Sequence, residues 1–149
     1  MSKKVDRISF ELGMINCFVE MVACGVKKMA ISPPLAPDDY HYVEPLSKKM
    51  VEAFGIKSHL DKSLLITDLQ TEDFTKGKWA ILYYKDDPVL EAYIKLKERK
   101  RDLEGQGQYD EANRKDISRE FMHLLSYPDD IIDKKLAQKT PESPFMLID

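Results

Sequence analysis

The segment KWAILYYK, residues 78–85, is the most strand-like stretch of the 149-residue chain, and the predicted fold is built around it. Apolar and aromatic side chains fill this segment, and turn-forming residues at 76–77 and 86–88 bound it. A second apolar segment, SLLITD at residues 63–68, ends about nine residues earlier. A connection this short cannot form a parallel crossover, so we expect these two strands to pair antiparallel.

The preceding residues predict a β-α-β unit. The segment VKKMAIS, residues 26–32, indicates a short strand that ends at the breaker PPLAP. A helix follows over residues 45–55, with Pro45 in its first turn and Gly55 as its left-handed stop, and leads to the strand at 63–68. With the strand at 78–85, the predicted sheet is small, mixed and three-stranded.

Helices are predicted before and after the strands in the sequence. Apolar residues recur with a helical period over residues 5–24, which predicts a mostly buried N-terminal helix. Residues 88–103 and 109–125 predict a helical hairpin, and Ser126 with Asp129 matches a capping box for a last short helix.

Together these elements predict an α+β fold with an α/β-like N-terminal half. We expect one globular domain over residues 1–138, made of a half with the sheet (1–86) and a helical half (87–138). The tail at 139–149 ends in an apolar stretch and is predicted to be either loose or docked on an apolar surface.

Composition and charge argue against several classes of partner. The net charge is −3, and the basic run KLKERKR at residues 95–101 is followed directly by acids, which is typical of a solvated helix face. We therefore expect no nucleic-acid partner. No apolar run approaches a membrane span and the N-terminus lacks an apolar signal region, so we expect a soluble, cytoplasmic protein without a membrane partner.

The two cysteines, Cys17 and Cys24, do not fit a structural zinc site, because the chain has no CxxC motif and no Cys/His quartet. We interpret them as reduced, buried side chains. No cofactor is predicted, and whether the protein binds a metal is left open.

An acid, Glu20, lies within the apolar run of the N-terminal helix. It shares a narrow stripe, an arc of roughly 80° in an ideal helix, with Ser9, Gly13 and Asn16. Three interpretations stay open: a solvated face, a close contact with another helix or a second copy, and catalysis. The mid-helix glycine favours a close contact, because it costs about 1 kcal/mol relative to alanine.

A candidate ligand site lies where the first two predicted strands end. Ligands of open α/β sheets bind at the carboxyl ends of the strands, and carboxylates with a histidine suit a divalent metal or acid/base chemistry. If the strands are parallel neighbours, six side chains share that edge: Ser32, Asp38, Asp39, His41, Thr67 and Asp68. Taken singly, the same residues also suit helix caps and turns.

Two functions remain at this point. The first is a small cytosolic binding or interaction protein, with a homodimer and a small-molecule ligand as candidate partners, because no common catalytic motif occurs. The alternative is a metal- or acid/base-dependent enzyme or small-molecule sensor that uses the strand-end residues. The sequence does not decide whether the protein is an enzyme.

Overall fold

The computed structural model describes residues 3–69 and 72–138, and it has a small sheet between two layers of helices. Helices α1 and α2 pack on one face of the sheet, and helices α4 to α6 pack on the other. The α+β class predicted from the sequence is confirmed. The elements are α1 (Arg7–Ala23), β1 (Met29–Ile31), α2 (Pro37–Phe54), β2 (Lys57–Asp61), α3 (Glu72–Thr75), β3 (Ala80–Tyr84), α4 (Asp87–Gly105), α5 (Glu111–Leu124) and α6 (Asp129–Ala137).

The central strand of the sheet is β3, which lies within the strand predicted at 78–85 but between the other two strands rather than at an edge. All five of its residues are buried, and their side chains alternate between the two helical layers. Leu82 packs with the α4–α6 layer, whereas Ile81 and Tyr83 pack with α1 and α2. Trp79, just before the strand, is more than half buried. The prediction of a strand here is therefore confirmed.

The prediction of a mixed sheet with a β-α-β unit of neighbouring strands is wrong. The strand order is β1-β3-β2, and β3 pairs antiparallel with both neighbours. Strands β1 and β2 therefore run in the same direction, but β3 lies between them. The β1-α2-β2 crossover is thus split by the third strand, which is a known supersecondary arrangement.

The second strand lies earlier in the chain than predicted. It is the polar segment KSHLD, and its first three side chains are exposed because it is an edge strand. The predicted strand at 63–68 is a loop. Its apolar character has another cause, since Leu65 and nearby Leu69 pack into the α4–α6 layer. A short apolar run does not by itself distinguish a strand from a buried loop.

Helix α2 begins earlier than predicted, at Pro37 rather than Pro45. Proline suits a first helical turn, and Asp38 and Asp39 complement the positive N-terminal end of the helix dipole. Pro45 lies inside the helix and is exposed. The region predicted as a loop at 32–42 is therefore partly helical, and Gly55 ends the helix at φ 67° as expected.

Helices α4 and α5 form the predicted hairpin, and α6 packs against α5. The predicted capping box is wrong, because Pro128 precedes α6 and Ser126 instead accepts a 2.9 Å hydrogen bond from the backbone N–H of Lys28. Two ion pairs fix the direction of α6 relative to α5: Arg119–Asp133 at 2.9 Å and His123–Asp129 at 2.7 Å. The two helices are therefore antiparallel.

Candidate functional site

Ser32 is buried and ties the end of β1 to β3. Its hydroxyl donates to the carbonyl of Pro33 at 3.0 Å and accepts from the backbone N–H of Ile81 at 2.9 Å. With 1% of its surface exposed, Ser32 serves the sheet and does not face a ligand.

Three predicted site residues lie in the first turns of α2. Asp38 is exposed, and Asp39 forms a 2.9 Å ion pair with Arg7 of α1. His41 is exposed, with its ring centroid 5.9 Å from that of Trp79. These residues belong to the α1–α2 side of the sheet.

Thr67 and Asp68 lie on the opposite side of the sheet. The hydroxyl of Thr67 accepts the backbone N–H of Leu69 at 3.2 Å, which stabilises the loop. Asp68 forms a 2.7 Å ion pair with Arg114 and receives a further contact from α5, because its N–H donates to Ser118 at 3.0 Å. The structure therefore does not bring the six predicted residues together, and ligand binding by this set stays a prediction without the geometry on which it relied.

The stripe on α1 faces solvent in the single chain. Ser9, Gly13, Asn16 and Glu20 are all exposed, and a Cβ placed on Gly13 would meet no atom within 4 Å. Among residues 3–69 and 72–138, no other helix therefore contacts this stripe. The two cysteines are also exposed, so the prediction that they are buried is wrong. Cys17 lies roughly 150° around α1 from the buried side chains, and Cys24 follows the last residue of the helix.

A second acid of α1, Glu11, is buried, with 6% of its surface exposed. Its Oε1 contacts Arg7 at 3.5 Å, and its Oε2 has no hydrogen-bond partner among the residues that the structure describes. Burial raises the pKa of the Glu11 carboxyl, and the adjacent Arg7 lowers it in part. Arg7 is shared between two carboxylates, and its contact with Asp39, at 2.9 Å, is shorter than its contact with Glu11.

The most buried charged group on the other side of the sheet is Asp61, at the end of β2. Its carboxylate accepts hydrogen bonds from the hydroxyl of Tyr93, from the ammonium of Lys97 at 2.8 and 2.9 Å, and from the backbone N–H of Ser63 at 2.9 Å. Burial raises the pKa of the Tyr93 hydroxyl well above its ordinary value, and Asp61 raises it further. Tyr93 therefore stays a neutral donor at physiological pH.

Lys97 connects this buried network to a surface groove, which we call the α4 groove. The groove has a volume of about 490 Å³ and lies between α4 and the loop after β2. Three cationic side chains, two acidic ones, one hydroxyl and three apolar side chains line it. They are Lys97, Lys100, Arg101, Glu98, Glu104, Ser63, Leu64, Leu65 and Ile94.

The arrangement in the α4 groove suits binding better than proton transfer. Asp61 and Tyr93 are almost fully buried behind Lys97, so they hold its ammonium in place without contacting a ligand themselves. Lys100 is held in a similar way by a 2.9 Å hydrogen bond to the carbonyl of Ile66. Cations that are already positioned lose little freedom when an anion binds.

The α4 groove is not among the predicted sites, because its cations lie in the run 95–101, whose pattern is typical of a solvated helix face. A usable signal was present. Lys97, Lys100, Arg101 and Glu104 recur at spacings of three and four, which places them on one face of a helix. The polar strand β2, whose last residue fixes Lys97, was not predicted.

Within residues 3–69 and 72–138, no group of three or more histidine, cysteine or acidic side chains is close enough to hold a metal ion. The same residues contain no helix long and apolar enough to cross a membrane. Comparison of the chain with protein-family models, with curated proteins and with solved structures found no significant match.

Proposed function

We propose that this protein is a small binding or interaction protein without covalent chemistry of its own, and that its ligand is a small organic anion bound in the α4 groove. The observation that carries the proposal is the groove itself, whose cations Lys97 and Lys100 are each held by a buried or backbone oxygen. Leu64, Leu65 and Ile94 supply apolar surface beside these charges. A carboxylate or phosphate attached to an apolar body matches both features.

Arg101 is the side chain best placed to add specificity. It is exposed and makes no ion pair within the described part of the chain, so its guanidinium is free for a bidentate contact with an anion. The acids of the groove limit its positive charge, and Glu104 lies 4.0 Å from Lys100. The groove therefore favours a ligand with one or two negative charges over a polyanion such as nucleic acid.

A thermal-shift screen of small carboxylates and phosphorylated compounds tests this proposal. A ligand present at 100 times its Kd stabilises the folded state by about 2.7 kcal/mol. The hit is then titrated by calorimetry against the parent and against Arg101→Gln, which we expect to weaken binding at least fivefold. Added salt also weakens the binding of an anion at an exposed site.

The matched control is Arg99→Gln, because it removes the same charge from the same helix at a position outside the α4 groove. If both variants bind like the parent, the anion site is not in this groove. If no compound of either class stabilises the parent protein, the proposal of a small organic anion is wrong.

The proposal includes a cytoplasmic homodimer that contacts neither nucleic acid nor membrane. The α1 stripe supports a dimer because it is exposed, contains Gly13 and lies beside Met21, which is 39% exposed. The exposed free thiols suit a reducing compartment.

Sedimentation velocity over a range of concentrations tests the dimer. Gly13→Arg is expected to abolish the dimer, and Gln108→Arg, on the α4–α5 turn, is expected to leave it unchanged. A parent protein that stays monomeric at all concentrations contradicts it.

The enzyme alternative receives no comparable support. It required Ser32 and Asp68 at one edge of the sheet, whereas Ser32 is buried within the sheet and Asp68 is paired with α5.

A further inference from the structure

A second groove lies on the opposite face of α4, and we call it the α4–α5 groove. It has a volume of about 380 Å³ and is much more apolar than the α4 groove. Its lining residues are Ala92, Lys95, Leu96, Arg99, Glu120, His123 and Leu124. At 100° per residue, the lining positions on α4 lie about 180° around the helix from those of the α4 groove. The two grooves can therefore be occupied independently.

We propose that residues 145–148 of the same chain, with the sequence FMLI, occupy the α4–α5 groove. These residues belong to the segment 139–149, which lies outside the described residues. Their four consecutive apolar side chains match the apolar surface offered by Ala92, Leu96 and Leu124. The inference does not depend on the proposed function.

Helix α6 begins beside this groove, where Asp129 pairs with His123, and then runs away from the groove along α5. Because Asp129 pairs with His123 and Asp133 with Arg119, each turn of α6 lies beside an earlier turn of α5. Extending this register by one turn places Ala137 near the level of Lys115. The α5 residues of the groove, at 120–124, then lie about 8–14 Å back along the α5 axis.

The connecting segment is long enough to cover this distance. Residues 138–144, with the sequence QKTPESP, span up to roughly 23 Å when extended. The prolines at 141 and 144 disfavour a continued helix and favour an extended chain. The segment can therefore cross the outer face of α5 and place Phe145 at the groove.

Charges at the rim of the groove complement the tail. Lys95 is exposed beside the apolar floor, and Arg99 lies one turn further along α4. The apolar tetrapeptide is flanked by Glu142 on one side and Asp149 on the other. Arg99 is paired with Glu120 of the same groove at 2.8 Å, so Lys95 is the cation of the rim that complements the acids of the tail.

Tryptophan fluorescence of the full chain tests the proposal. Phe145→Trp is combined with Trp79→Phe so that the tail carries the only indole. We expect a blue-shifted emission and at least threefold weaker acrylamide quenching than for the matched control Thr140→Trp in the same background. Adding Ala92→Arg, which places a charged side chain in the groove, is expected to restore water-like emission at position 145.

Water-like emission from the indole at position 145 without the groove variant overturns the proposal, and so does a blue shift that Ala92→Arg leaves unchanged. A blue shift that disappears on dilution shows docking on a second copy and also overturns it.

Disulfide trapping in the Cys17→Ser, Cys24→Ser chain gives a second measurement that does not depend on replacing Trp79. Lys95→Cys with Leu147→Cys is expected to form an intramolecular disulfide at least fivefold faster than Arg101→Cys with Leu147→Cys. Equal rates contradict docking in the α4–α5 groove.

Discussion

Replacing Asp61 with asparagine is expected to destabilise the protein strongly, although the side chain keeps its shape. The carboxylate is 5% exposed and accepts four hydrogen bonds, from Tyr93, twice from Lys97 and from the backbone N–H of Ser63. Asparagine offers one acceptor oxygen and places an NH₂ donor beside groups that are themselves donors. Removing one partner of a fully buried ion pair costs about 3–5 kcal/mol.

The expected loss is smaller than that value, because the Lys97 side chain is 30% exposed and its ammonium can be hydrated from the α4 groove. We therefore expect Asp61→Asn to lower the free energy of unfolding by about 2–3 kcal/mol. For a chain of 149 residues this corresponds to a decrease in Tm of roughly 4–12 °C. Urea unfolding at pH 7, followed by circular dichroism and by Trp79 emission, measures the loss.

The matched control is Asp133→Asn, which also removes one carboxylate from an ion pair. Asp133 lies 2.9 Å from Arg119 but its side chain is 64% exposed, so we expect a change of less than about 0.5 kcal/mol. The double variant Asp61→Asn, Lys97→Met is expected to be less destabilised than the sum of its single variants, since the two side chains contact each other. If Asp61→Asn costs no more than Asp133→Asn, the buried network neither stabilises the fold nor holds the ammonium of Lys97 in the α4 groove.

Three further predictions concern the other side of the sheet. Burial raises the pKa of Glu11, so this carboxyl contributes less to the stability of the folded state as the pH rises through that pKa. In urea titrations, Glu11→Gln is therefore expected to stabilise the protein more at pH 8 than at pH 4, and an equal effect at both pH values contradicts this. Tyr83→Phe leaves the buried hydroxyl of Ser47 without its 2.5 Å hydrogen-bond partner, so we expect the free energy of unfolding to fall by about 1–2 kcal/mol. Adding Ser47→Ala is expected to restore part of this loss, and full additivity of the two changes would refute the coupling. Native Trp79 is expected to emit at shorter wavelength than in urea, and an unchanged emission maximum would contradict its burial.

Four of the helices, α1, α4, α5 and α6, and the strand β3 could be predicted from the sequence because each follows a strong local pattern. The observed bounds lie within about one helical turn of the predicted ones for three elements: α1 with its apolar period, α4 with its Asp-Pro start, and the aromatic strand β3. The edge strand β2 could not be found in this way. Its residues are polar, and it is a strand because β3 supplies hydrogen-bond partners from Ala80 to Tyr84. Tertiary pairing, and not local propensity, decides its structure.

The candidate site was predicted less well than the fold because it depended on strand order. The predicted second strand at 63–68 is a loop, and β2, which was not predicted, is separated from β1 by β3. Once Asp68 is on a loop beside α5, it cannot share an edge with Asp38. The residue that ends β2 is Asp61, and its importance follows from burial against Tyr93 and Lys97, which are more than thirty positions away in the sequence. Such a contact has no local signature.

The split crossover has a consequence for how the chain is synthesised and folds. Strands β1 and β2 share no backbone hydrogen bonds, so neither has a sheet partner until residues 80–84 have left the ribosome and inserted between them. The β1–β3 pairing closes a loop of about fifty residues, which is slow compared with a local hairpin. Until that moment, the apolar faces of α1 and α2 have no sheet to cover, and the nascent chain exposes them to chaperones or to other chains. Slowing translation before residue 80 should therefore lengthen the period in which this protein is prone to aggregate.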